Sequence, residues 1–239
     1  MHPIKRTILV TGASSGIGRA IAKNLLQQGH VVIGTSRNCR QFGTTHKNFS
    51  FIEIDFSVLN QISTKIKTIE KTHPELDTII FSAGYGQFGS LEQFSCHQIE
   101  QMITVNFTSQ AVTTRALIPG LKRKAHSNLI YIGSEAALKG SRKGSIYCAS
   151  KFALRGFTQA LREECGSSSI RISLINPGMV KTAFFESLTF QPGDDESHAL
   201  LPEDIVETVN YILNSNQNIV IDEINLNPAN KVIKFKTQS

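Results

Sequence analysis

Along the 239 residues, short apolar runs alternate with longer stretches in which apolar side chains recur every third or fourth position. Runs at 4–10, 30–35, 49–54, 77–82, 129–132, 170–175 and 219–224 read as buried strands. The periodic stretches at 19–28, 57–72, 98–121, 147–165 and 202–214 read as helices. Ile62, Ile66 and Ile69, for example, share one face, and Pro74 lies just past the end. No linker or repeat interrupts the alternation. It predicts one doubly wound α/β domain over 1–239, a parallel sheet flanked by helices. Ligands of such sheets lie beyond the strand C-terminal ends. One stretch breaks the rhythm. Residues 183–200 carry Phe184, Phe185, Leu188 and Phe190, then Asp194-Asp195-Glu196, without a period. They read as a long loop and a mobile lid over a ligand.

The first strand runs directly into Gly12-Ala13-Ser14-Ser15-Gly16-Ile17-Gly18, and a helix pattern follows. A glycine-rich turn lets the backbone approach a phosphate, and the helix then presents free N–H groups and a positive dipole end. Gly12, Ser14, Ser15, Gly16, Ile17 and Gly18 are therefore candidate dinucleotide contacts. Sites that take NAD place an acid near the end of the second strand, to bind the ribose 2′-hydroxyl. Here that end reads Ser36-Arg37-Asn38. Arg37 suits a 2′-phosphate, which a guanidinium grips in two places, so NADP(H) is expected over NAD(H). Asp55, Ala83-Gly84 in a Gly-rich aromatic loop, Ser134 and Pro177-Gly178 also follow strand ends, and one crevice can collect them all.

Tyr147 and Lys151 lie four apart on the predicted helix and so side by side. A phenol titrates near pH ~10 and exchanges protons poorly at neutrality. An ammonium beside it stabilises the phenolate and is expected to pull its pKa down. Ser134, just past a strand, could bring a hydroxyl to the same point. Taken alone, the pair reads as a half-buried ring beside a solvated amine, and Asn106 inside 98–121 as an exposed or tolerated amide.

Net charge is +6, but its distribution is more informative: no acid precedes Glu53, whereas Lys5, Arg6, Arg19, Lys23, Arg37, Arg40 and Lys47 do. Such a segment favours an anionic ligand. No basic stretch interleaved with aromatics appears, so no nucleic-acid partner is expected. No apolar run approaches ~18 residues, so no membrane span is expected. Cys39, Cys96, Cys148 and Cys165 form no C-x-x-C pair. That suggests a reducing, cytoplasmic setting without disulfides or a metal site.

With these residues in view, the chain resembles the short-chain dehydrogenase/reductase family over nearly its full length. The motifs that carry the resemblance are Thr11-Gly12-x3-Gly16-Ile17-Gly18, Asn106, Ser134, Tyr147-x3-Lys151 and Pro177-Gly178, in family order. The resemblance implies a Rossmann domain that transfers hydride between NAD(P)(H) and a carbonyl or secondary alcohol: a ketone, an aldehyde or a 3-hydroxy acid. It implies Tyr147 as general acid in reduction and base in oxidation, and Ser134 as hydrogen-bond partner of the substrate oxygen. Lys151 would hold the nicotinamide ribose, and Asn106 would help hold a relay water. It also points to a homodimer or homotetramer through the helices at 98–121 and 147–165. The competing expectation is a dinucleotide sensor without turnover; an intact Asn106–Ser134–Tyr147–Lys151 set favours chemistry. Where many members have Asn-Asn-Ala-Gly, this chain has Phe81-Ser82-Ala83-Gly84. The Gly193-Asp194-Asp195 loop, the Leu201-Pro202-Glu203-Asp204 helix start and the Ile224-Asn225-x3-Pro228 tail resemble, more weakly, the 3-hydroxy acid and serine dehydrogenase-like branch, and the chain also resembles a broader set of bacterial ketone reductases. If the substrate is a carboxylate, Lys139, Arg142, Lys143 and Lys181 are the cations available.

Overall fold

The chain is described by a computed structural model over residues 5–38 and 46–236. Ile4, Cys39 and Arg40 lie outside them. The strands are β1 (Thr7–Thr11), β2 (Val31–Ser36), β3 (Phe49–Glu53), β4 (Leu76–Phe81), β5 (Ser127–Ile132), β6 (Ile170–Pro177), β7 (Phe190–Pro192), β8 (Glu223–Leu226) and β9 (Ile233–Phe235). The helices are α1 (Gly16–Gln27), α2 (Leu59–Thr72), α3 (Cys96–Ile103), α4 (Ser109–Leu121), α5 (Ser145–Cys165) and α6 (Pro202–Asn214). Seven strands form one parallel sheet in the order β3-β2-β1-β4-β5-β6-β8. The chain winds outward from β1 to β3, then returns to lay β4 on the other side of β1. A crevice opens where the winding reverses, beyond the ends of β1 and β4.

The central strands are buried on both faces, which is why they read as continuous apolar runs. One core packs Ile62, Ile66 and Ile69 of α2, Leu117 of α4 and Leu154 of α5 under the sheet. The other packs Ile21 and Leu25 of α1 and Ile205 and Val209 of α6 on the opposite face. Phe81 belongs to the first core, stacked on Tyr131 with ring centroids 4.4 Å apart.

Four expectations are revised. Residues 98–121 are not one helix: a π-helical segment, Thr104–Thr108, separates α3 from α4. Such insertions concentrate at functional sites, and this one holds Asn106. The second helix begins at Leu59 rather than 57, because the Asp55 carboxylate accepts from the Ser57 amide and hydroxyl and holds Ser57 in a turn. The last strand of the main sheet is Glu223–Leu226, not 219–224; hydrogen bonds from Asn176 on β6 to Glu223 and Asn225 set that register. Finally, 183–200 is not an irregular loop. It contains two short 3₁₀ turns and β7, which pairs antiparallel with β9. The pairing partner lies more than 40 residues away (Phe190 with Phe235), so no local period could announce it.

Candidate active site

At the β1 end, the turn is built around two glycines with positive φ, Gly12 at 69° and Gly16 at 50°. A Cβ on Gly12 would stand 2.9 Å from Ala83 Cα, so the backbones of the β1 and β4 loops meet here with no side chain between them. Thr11 Oγ1 locks them together by accepting from the Ser82 and Ala83 amides, each at 3.0 Å. Gln110 adds a bond from its Nε2 to the Ala83 carbonyl at 3.2 Å. These contacts secure the segment that departs from the Asn-Asn-Ala-Gly pattern. Gly12, Ser14, Ser15, Gly16 and Ile17 line the cleft. Gly18 does not: it is buried, and its added Cβ would lie 2.5 Å from the Gly12 carbonyl oxygen, so its work is close packing of helix on turn. The first turn of α1 carries no acid, and Ser15 at its N-cap makes no side-chain bond to the helix. The dipole end therefore faces the cleft without a competing anion.

Arg37 is exposed on the same wall, and Ser36 is buried beside it with its hydroxyl bonded to Asn38. Burial pushes the Asp55 carboxyl up, but the two bonds from Ser57 and the charges of Arg37 and Lys65 together hold it below the usual carboxylate range. The turn, the dipole end and the exposed guanidinium fit a phosphorylated dinucleotide.

At the catalytic corner, α5 delivers Tyr147 and Lys151 and the end of β5 delivers Ser134. Ser134 caps a 3₁₀ turn, its hydroxyl accepting from the Ala136 amide at 3.1 Å. Its own amide donates to Asn176 Oδ1 at 3.3 Å, and Asn176 Nδ2 donates to Glu223 Oε1 at 2.8 Å. Glu223 Oε2 in turn takes Arg155 Nε at 3.0 Å. Tyr147, Lys151 and Arg155 sit four apart on α5, so one helix face carries both the reactive pair and its anchor to β6 and β8.

The Ser134 hydroxyl acts on the Tyr147 phenol and draws its pKa down. The expected downward pull of Lys151 on that phenol is not found. Burial pushes Tyr147 up to about 12, the Ser134 hydroxyl offsets part of this, and Cys148 and Glu135 add to the rise. Burial likewise pushes Lys151 down to about 8. The Lys151 Nζ lies 5.8 Å from the ring centroid and donates to the Ile132 carbonyl at 3.2 Å. Desolvation of the charged form leads both shifts, and neither residue figures among the causes of the other's.

Asn106, which taken alone read as an exposed or tolerated amide, is fully buried. Its Oδ1 accepts from the Tyr85 amide at 3.0 Å, and its Nδ2 donates to the Tyr85 carbonyl at 2.9 Å and the Ser150 hydroxyl at 3.1 Å. It thus rivets the loop after β4 to α5. A Cβ on Gly84 would lie 3.1 Å from its Oδ1 and 3.8 Å from Lys151 Nζ. Pro177 and Gly178 close the far wall, beside Ala83 and Gly84 across the cleft, and all belong to one cavity of about 2110 Å³. That is roughly twice the upper end for a single small-ligand pocket, ~1,000 Å³.

Sequence reasoning missed the supports: Thr11, Gln110, Ser150, Asn176 and Glu223. It also missed that Phe88 and Phe184 flank the Tyr147 ring, with centroids 5.1 and 6.0 Å away. Phe190 stands edge-on to Phe88 at 5.0 Å, completing an aromatic wall. The clue available was the density of Phe in two loops; their convergence was not visible.

The site's relatives are consistent with its shape. The family model described as short chain dehydrogenase matches residues 6–192. An uncharacterised oxidoreductase of Staphylococcus aureus (strain MRSA252) is 30% identical over 226 residues, 92% of this chain and 96% of that protein. The closed form of a serine dehydrogenase complexed with NADP+ superposes with a TM-score of 0.79 at 25% identity, over 92% of this chain and 93% of that one. An alcohol dehydrogenase from the archaeon Thermococcus sibiricus, complexed with 5-hydroxy-NADP, gives a TM-score of 0.82 at 25% identity, over 93% and 96%. A family model running from the first strand to the aromatic wall, and an oxidoreductase relative matched over nearly its whole length, place this chain in the short chain dehydrogenase family.

Proposed function

We propose that the protein is an NADP(H)-preferring oxidoreductase that interconverts a small carbonyl compound and its secondary alcohol. The observation that carries this is the convergence of Ser134, Tyr147 and Lys151 at the end of the cleft whose other end holds Arg37. Bound there, the dinucleotide supplies or accepts the hydride. Tyr147 is the proton donor to the carbonyl oxygen in reduction and the acceptor in oxidation. A phenol raised by burial keeps its proton at neutral pH but gives it up less readily than a free one. Ser134, whose hydroxyl acts on the phenol, directs the substrate oxygen to it. Lys151, within reach of Gly84, is placed to hold the nicotinamide ribose. Asn106 fixes the β4 loop against α5 through three side-chain hydrogen bonds, which supports a positioning role for it.

Gly12, Ser14, Ser15, Gly16 and Ile17 would cradle the pyrophosphate, with Asp55, Ala83, Gly84, Pro177 and Gly178 along the adenosine and nicotinamide walls. The exposed guanidinium of Arg37, after a stretch of chain without acids, supports the 2′-phosphate preference. Phe152, 43% exposed on α5, supports a homodimer or homotetramer through this helix and the α3–α4 stretch. Among the described residues, no helix is long and apolar enough to cross a membrane. Cys148 and Cys165, buried as free thiols, support a reducing, cytoplasmic setting.

The test is cofactor absorbance with NADPH and with NADH over a panel of aldehydes, ketones and hydroxy acids. Turnover with NADPH well above NADH is expected. A protein that binds NADPH yet turns over nothing in the panel would instead be the dinucleotide sensor.

A further inference from the structure

Seven cationic residues line the cleft against two acids, Asp55 and Glu135. Most of the charges are committed. Arg37 and Lys151 serve the dinucleotide side, Lys231 is ion-paired with Glu135, and Lys236 donates to the Phe185 and Glu186 carbonyls. Three remain: Lys139, Arg142 and Lys143, on the loop between β5 and α5. Their side chains are exposed at the cleft and make no hydrogen bond or ion pair within the described residues. Lys181, the fourth cation considered from sequence, does not line the cleft.

This loop is held in place. Lys143 has φ 60°, the one positive-φ residue other than glycine among the described residues. Strain of this kind persists only where the surroundings enforce it, and it clusters at functional sites. The enforcing contacts are the Gly89 amide to the Lys143 carbonyl at 2.8 Å and the Gly144 amide to the Ser141 carbonyl at 3.1 Å. Gly144 packs so tightly that an added Cβ would meet Ser141 Oγ at 2.3 Å and Phe88 at 3.4 Å. The cationic loop and the aromatic wall beside Tyr147 are therefore one assembly. Directly behind it begins α5, 21 residues long, with no acid in its first turn, so its dipole adds to the positive field.

From this we infer that the substrate is an anionic carbonyl compound, whose apolar or aromatic body lies against Phe88, Phe184 and Phe190 while a terminal carboxylate or phosphate is held by Lys139, Arg142 and Lys143. The inference rests on the oxidoreductase reading of the cleft, and its test separates the two.

The full chain, loaded with oxidised NADP, is titrated calorimetrically with benzoylbutyrate, its methyl ester and the matched ketone benzoylpropyl phosphate. The acid or the phosphate binds about tenfold or more tightly than the ester at low salt, and the gap narrows as salt is added. A larger gain for the carboxylate assigns the site to keto acids; a larger gain for the phosphate assigns it to phosphorylated ketones. In the K139Q/R142Q/K143Q variant the anion-to-ester ratio collapses toward one. The ratio is the readout, so a loss of affinity shared by all three ligands counts against the proposal. Equal binding of ester and anions by the unaltered protein, or a ratio that survives the triple change, overturns it. NADPH oxidation with the neutral ester is recorded in parallel: turnover of the ester with no anion preference leaves the oxidoreductase reading standing and removes only this one.

Discussion

The two ends of the cleft are built by different means. The dinucleotide end is made by contiguous residues and mostly by backbone: a strand, a turn that needs Gly12 and Gly16 in the left-handed region, and the open end of α1. The substrate end is made by side chains that arrive from four separate stretches, around Phe88, Lys143, Phe184 and Lys236. Its supports are a two-stranded sheet, β7 with β9, and a small cluster of Met179, Phe185 and Leu188. A two-stranded sheet is marginal by itself, so that end depends on its aromatic packing. On the proposed reading, phosphate recognition is written in local chain conformation and substrate recognition in tertiary assembly.

The largest expected effect falls on the substrate end alone. Tyr147→Phe keeps the ring between Phe88 and Phe184 and removes one proton. Turnover should fall by ~10²–10⁴, while NADPH affinity, measured by fluorescence titration, stays within a few-fold. Undiminished reduction by the Phe variant would remove Tyr147 from the chemistry.

Lys151 stands at the junction, and its effect is legible in stability. Its folded pKa is lowered from 10.5 to about 8 by burial. Between these values the unfolded chain binds a proton that the folded chain has released, so stability rises with pH across that window. Below it, the buried ammonium costs on the order of 3 kcal/mol. Above pH 10 Tyr147 acts in the opposite sense, because the unfolded phenol ionises while the folded one, raised to about 12, does not. Urea denaturation of the cofactor-free protein from pH 7 to pH 10 should therefore show a rising midpoint that Lys151→Met abolishes. A wild-type profile that is flat or falling across this range would contradict the burial of a charged Lys151.

A smaller effect tests the dinucleotide end. Arg37→Ala should weaken NADPH by about tenfold or more, the worth of a charge-assisted bond, and leave NADH nearly unchanged. Equal loss for both cofactors would mean that Arg37 does not meet the 2′-phosphate.

The smallest effect probes the brace between the halves. Glu223→Gln keeps an acceptor for Asn176 and removes the charge facing Arg155. Turnover should drop a few-fold, in line with about 0.5–1.5 kcal/mol for one weakened bond, with cofactor affinity unmoved. Arg155→Gln should add little on top of it, since the two act through one contact. Additive losses would show that Arg155 and Glu223 act separately.

The sequence by itself determined the parallel α/β architecture, because strands buried on both faces and one-faced helices must carry distinct periods. It also determined the glycine turn after β1, since only glycine meets its backbone demands without strain, and the pairing of Tyr147 with Lys151, which follows from helical spacing. Tertiary structure alone decided the rest. Asn106 became a buried rivet because a π segment turns it toward Tyr85 and Ser150, and no propensity foretells that. The Tyr147 phenol rose rather than fell because burial, a property of the assembled cleft, dominates it, and Lys151 is not among the groups that shift it. The stretch at 183–200 found its order in β9, and Lys143 its strained backbone in Gly89, each through a partner more than 40 residues away. Periodicity registers neighbours along the chain; contacts between distant segments leave no period to read.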